Sequence, residues 1–131
     1  MANESPASAS SCLILSNDFF FGSRLCEAVK EHGSLVTMAA TLDAPAIATA
    51  EADWQLIVFD LTLQTSTIEE VVAWREKLPS TPTLLAFGPH VRTGQLERAK
   101  AAGCDLVLTR GQLDQQVKLV LDEHLPGSDQ A

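Results

Sequence analysis

Leu56-Ile57-Val58-Phe59-Asp60 is the most strand-like run in the chain, and its last residue is a carboxylate. A continuous apolar run this short and this rich in branched side chains reads as a central parallel strand covered on both faces. Asp60 then falls at the carboxyl edge of a sheet, where open α/β sheets place their ligand sites. Taken alone, it is equally an aspartate that caps a turn or the following helix through side-chain hydrogen bonds.

Outward from that strand, the sequence alternates between short apolar runs and stretches of helical period. Residues 12–16, 34–38, 83–87 and 105–109 read as four further strands. Phe21, Leu25 and Val29 make one helical stripe that stops at His32-Gly33, where a glycine supplies a left-handed end. Asp43-Ala44-Pro45 reads as a cap followed by a first-turn proline, opening a short alanine-rich helix expected to end near Ala52. Ile68, Val71, Val72 and Leu78 form a third stripe, which Trp74 continues and Pro79 closes. Leu96, Ala99 and Ala102 lead to Gly103, and Leu113, Val117, Val120, Leu121 and His124 mark the last helix. Strands and helices in strict alternation imply a parallel sheet with right-handed crossovers and helices on both faces. The expectation is one doubly wound α/β domain over residues 12–125, with a polar tail at 1–11 and another at 126–131.

Composition narrows the function. The 131 residues suffice for one substantial core, and 46% hydrophobic against 20% charged residues is ordinary for a globular protein. Seventeen acids against nine bases give a net charge of −8, which repels phosphate backbones and anionic membranes, so neither nucleic acid nor membrane is expected as a partner. Cys12, Cys26 and Cys104 are odd in number, scattered and set among apolar residues, the pattern of buried thiols in a reducing compartment. Residues 1–11 carry no Lys or Arg and no apolar core, and no run is long enough to span a membrane, so the expected location is the cytoplasm.

Five βα units, Asp60 closing the third strand, Pro82 before the fourth, and Ala102-Gly103-Cys104-Asp105 before the fifth together resemble a response-regulator receiver (CheY-like) domain. The resemblance covers residues 12–125 and rests on order and spacing. It implies a flavodoxin-like three-layer sandwich with five helices and strand order 2-1-3-4-5. It also implies a chemistry: active receivers hold Mg²⁺ with adjacent acids after strand one, accept a phosphoryl group on the strand-three aspartate, and neutralise it with a lysine after strand five. Phosphoryl transfer to a carboxylate is mainly positioning and charge stabilisation, so each missing counter-charge is disabling.

Here the parts depart from that pattern. The acid pair corresponds to Ser16 and Asn17, poor ligands for a hard dication; Asp18 follows and either belongs to the pocket or caps the first helix. Phe87 stands where the family carries a switching hydroxyl, and Val107 where it carries the partner aromatic. Arg110 stands for the lysine, followed by Gly111 in place of proline. A planar guanidinium favours two-point contact with a carboxylate, so Arg110 is expected either to pair with Asp60 or to lie in solvent. The implied member is a degenerate receiver, neither an enzyme nor a metal protein, with Mg²⁺ only if Asp60 is after all phosphorylated by a histidine kinase.

Other chemistries find no support. His32, His90 and His124 show no ligand spacing with the cysteines, and no nucleophile elbow, phosphate loop or dinucleotide fingerprint follows any strand. The loop Ser16-Asn17-Asp18-Phe19-Phe20-Phe21-Gly22-Ser23 places bulky rings where a flavin phosphate needs hydroxyls and close backbone approach. What remains is a stand-alone module that acts by contact with another signalling protein or a second copy. Of Phe19-Phe20-Phe21, at most two rings face inward on a helix, leaving one to a contact patch, unless all three fold over the vacated acidic pocket. A homodimer through the fourth helix, fifth strand and fifth helix has Glu97, Arg98, Lys100, Asp105, Arg110, Lys118 and Asp122 available for pairing across a two-fold axis.

Overall fold

The computed structural model describes residues 10–48 and 53–125. Residues 1–9 of the expected tail at 1–11, the expected tail at 126–131 and the expected end of the second helix near Ala52 lie outside these residues.

Five βα units follow one another: β1 (Ser11–Leu15), α1 (Phe19–Glu31), β2 (Leu35–Ala39), α2 (Pro45–Ala48), β3 (Leu56–Asp60), α3 (Ile68–Glu76), β4 (Thr83–Gly88), α4 (Thr93–Ala102), β5 (Leu106–Thr109) and α5 (Arg110–His124). The strands pair only in parallel, in the order β2-β1-β3-β4-β5. The fold is therefore flavodoxin-like, as the resemblance implied.

Strand alternation sorts the core into two halves. Leu13, Leu15, Ile57, Phe59, Leu84 and Ala86 point to one face, where Ile47, Ile68, Val71 and Ala99 from α2, α3 and α4 cover them. Cys12, Ile14, Leu56, Val58, Leu85 and Phe87 point to the other, against Phe21, Leu25 and Val29 of α1 and Leu113, Val120 and Leu121 of α5. Burial of each large apolar side chain contributes roughly 1.5–3 kcal/mol, so both faces are needed for stability. The same parity places Ser16, Asp60 and Phe87 on the α1/α5 side of the carboxyl edge.

Local signals account for the helix ends. Asp18 caps α1, Thr67 and Glu70 form a capping box on α3, and Gly33 and Gly103 end α1 and α4 with positive φ, as glycine alone does cheaply. Strand ends shift by one residue from the sequence reading in β1, β2, β4 and β5, and two of the differences at element ends matter most. Ser11 belongs to β1 and Ser10 is buried beside it, because their carbonyls accept from Gln55 and Leu35 and the Ser10 hydroxyl meets that of Ser34. In addition, Arg110 does not sit in a loop: Thr109 ends β5 and caps α5 through a second capping box with Gln112, making Arg110 the first helical residue.

Candidate functional site

Asp60 is 3% exposed, and both carboxyl oxygens are engaged. Oδ2 accepts from Ser16 Oγ at 2.7 Å, while Oδ1 accepts from the Thr62 backbone N–H at 2.9 Å and from Thr62 Oγ1 at 2.7 Å. The Thr62 contacts form an aspartate turn with a hydroxyl added, the local geometry a strand-ending aspartate favours. Three donors offset much of the cost of taking a carboxylate out of water, and none of them carries a charge. Ser16, standing at an acid-pair position, thus serves as a donor to Asp60; its oxygen in turn accepts from Asp18 N–H at 3.1 Å.

Asp18 divides its carboxylate between two tasks. Oδ1 accepts from Phe21 N–H at 3.1 Å as the helix cap, and Oδ2 meets Arg110 Nη2 at 2.9 Å. The expected Asp60–Arg110 pairing is therefore replaced by an Asp18–Arg110 ion pair. The physical reason is helical phase: with no loop after β5, Arg110 emerges over α1, and its guanidinium stacks 4.8 Å from the centre of the Phe21 ring. Phe21 meets Phe87 edge-on at 5.3 Å, so the site has a floor of two buried aromatics under an arginine lid. Asn17 is exposed, and Val107 packs with the opposite half of the core; neither reaches the cleft lined by Asp18, Asp60, Thr62, Phe87, Gly88, Pro89 and Arg110.

That cleft holds about 30 Å³, the share of roughly one water molecule. Mg²⁺ demands a near-octahedral shell of oxygens and keeps several waters. Here one carboxylate is buried and already accepts three neutral hydrogen bonds, and the other is shared between a helix cap and a guanidinium, so these residues do not fit the ion. Nor do the remaining candidate ligands gather: among the described residues no three His, Cys, Asp or Glu side chains are grouped to hold a metal. His90 is exposed, His32 lies between Ser34 at 3.0 Å and Asp122 at 3.4 Å, and His124 lies 3.9 Å from Glu123. Burial pushes the Cys12 and Cys26 thiols up and raises Cys104 to about 11, so all three are poor nucleophiles at neutral pH.

Two surfaces complete the picture. Phe21 is buried, but Phe19 and Phe20 are 75% and 88% exposed beside the cleft, so two rings, not one, face outward. Of the charges expected to pair across a dimer axis, Arg98 is forked onto Glu69 at 2.7 Å, Arg110 holds Asp18, and Asp105 receives Arg75 at 2.8 Å. Thr62 and Arg75 were not singled out from sequence. An Asp-x-Thr step at a strand end signals the first; nothing local signals the second, a 6% exposed arginine donating to Pro82 O at 2.9 Å.

No protein-family model matches the sequence, and no curated protein matches it. Solved structures do. A CheY-like response regulator receiver domain protein from Methanospirillum hungatei JF-1 superposes with a TM-score of 0.66 at 20% identity, over 88% of this chain and 95% of that one. The beryllofluoride-activated NtrC4 receiver domain dimer gives 0.67 at 15%, over 86% and 97%. The chemotaxis response regulator CheY4 of Vibrio cholerae gives 0.64 at 19%, over 86% and 99%.

Proposed function

Starting from the receiver fold that these likenesses share with the chain, we propose that the protein is a receiver-like signal-transduction module, not an enzyme, that works by protein–protein contact and does not turn over phosphoryl groups at Asp60. One observation carries the reading: both oxygens of buried Asp60 accept hydrogen bonds from Ser16 and Thr62, while Arg110, the one cation lining the cleft among the described residues, is committed to Asp18. Attack by a carboxylate needs an exposed oxygen, a metal-bound phosphoryl donor and a mobile counter-charge; here Asp60 is buried, Asp18 is shared between a helix cap and Arg110, and Arg110 is held by Asp18. The exposed Phe19-Phe20 pair at the rim supplies apolar area for a partner, whose class is a signalling protein or a second copy of the chain.

A second reading has one feature in its favour. Asp18 lines the same cleft as Asp60, so a shift of the first βα loop would bring two carboxylates towards one ion and restore phosphorylation by a histidine kinase. Incubation with Mg²⁺ and a small phosphodonor, followed by intact-mass measurement, separates the two. The expected spectrum is that of the unmodified chain; a stoichiometric phosphoryl adduct lost in Asp60→Asn overturns the proposal.

A further inference from the structure

A second cavity lies away from Asp60, on the other face of the sheet. It measures about 250 Å³ and opens between the β3–α3 loop and α4, lined by Phe59, Leu61, Leu63 and Ile68 below and by Gln95 and Arg98 at the rim. For comparison, a cavity of roughly 150 Å³ admits benzene. The space therefore takes one or two fused rings. Its rim is polar yet carries no free charge, because the Arg98 guanidinium is already forked onto Glu69 through two bonds of 2.7 Å. An anion would have to displace that pair, which disfavours acids.

Gln95 is the polar group left wanting. Its Nε2 reaches Leu61 O only at 3.5 Å, the limit of a hydrogen bond, and its buried Oε1 has no partner. A buried acceptor without a donor costs free energy that a ligand N–H or O–H would return. The last torsion of glutamine is broad, so turning Oε1 towards the cavity sacrifices little more than the weak Leu61 contact. We propose that this cavity binds a neutral aromatic molecule of one or two rings that donates an N–H or O–H hydrogen bond to Gln95. Such a ligand would press on Leu61 and Leu63, which flank the Thr62 that holds Asp60, giving the module an input independent of phosphoryl transfer.

Indole and 1-methylindole are suitable probes, alike in shape but differing in the donor. Titration of the isotope-labelled chain, followed by amide NMR, is expected to show saturable shifts at Leu61, Leu63 and Gln95 with indole, and binding about fivefold weaker for 1-methylindole. Gln95→Ala should leave the fold intact and erase the difference between the probes, which a merely structural glutamine would not do. Filling the cavity with Leu63→Phe should abolish both. Absence of saturation, shifts confined to the Phe19-Phe20 rim, or equal binding of the two probes to the unmodified protein each overturns the proposal. Tighter binding of N-acetyltryptophanamide than of indole also overturns it, assigning the space to a partner's side chain.

Discussion

Asp60 and Arg75 are both buried, both charged in type, and set at opposite edges of the same sheet, yet the protein houses them differently. At the carboxyl edge Asp60 is surrounded by neutral donors from Ser16 and Thr62. At the amino edge Arg75 of α3 reaches the Pro82 carbonyl, the Gly103 carbonyl and the Asp105 carboxylate, and Asp105 also accepts from Leu84 N–H at 2.9 Å. The arginine ties α3 to the entrances of β4 and β5; the aspartate is held by its own turn and by the end of β1, 44 residues away in sequence. Both housings therefore join distant segments, and they differ in the charge of the partner: Arg75 meets a carboxylate, whereas Asp60 meets only neutral donors.

The comparison breaks most visibly at Arg75. Arg75→Ala should cost roughly 3 kcal/mol, because it strands a buried carbonyl and empties the space of the side chain's apolar stem. Urea unfolding measures it; a loss below about 1 kcal/mol would mean that Asp105, half exposed, is served equally well by water. Asp60→Ala should cost less, about 2 kcal/mol, since it removes a charge-assisted set of bonds but strands only the buried Ser16 hydroxyl, the exposed Thr62 donors turning to water. Thr62→Val sharpens the same point: it deletes one hydroxyl donor and keeps the backbone one, so about 1 kcal/mol is expected from the same unfolding curves.

The difference between the two edges also explains what was legible in the sequence. The sheet was readable because β1, β3 and β4 are short apolar runs and alternate with helical stripes; Leu56–Asp60 alone fixed a central strand and put a carboxylate at its end. Asp18 and Gly103 were readable because caps are local. Arg110 was misplaced because its partner depends on whether a loop intervenes after β5, and the capping box of Thr109 and Gln112 that removes the loop resembles any polar turn in sequence. Arg75 was invisible for a stronger reason. It sits in a helix beside Glu76 and Lys77 like any surface arginine, and only the tertiary return of β4 and β5 brings Pro82 and Asp105 to it.

A third arrangement supplies the exposed reference, and the smallest effect. Glu69 and Arg98 form a two-point pair on the surface between α3 and α4, where water already solvates both groups. The Arg98 hydrogen bonds hold the Glu69 carboxyl below the usual carboxylate range. A carboxyl depressed on folding contributes stability that is present above its unfolded value and is lost as pH falls through its folded value. Glu69→Gln should therefore lower the melting temperature slightly at neutral pH, and the gap to the unmodified protein should close on acidification and in molar salt. Asp60→Ala, whose lost bonds are short and buried, should keep its neutral-pH deficit in the same salt. If salt closed both gaps alike, the hydroxyl cage around Asp60 would be a solvent-exposed feature, and the contrast between neutral and charged housing of buried groups would fail.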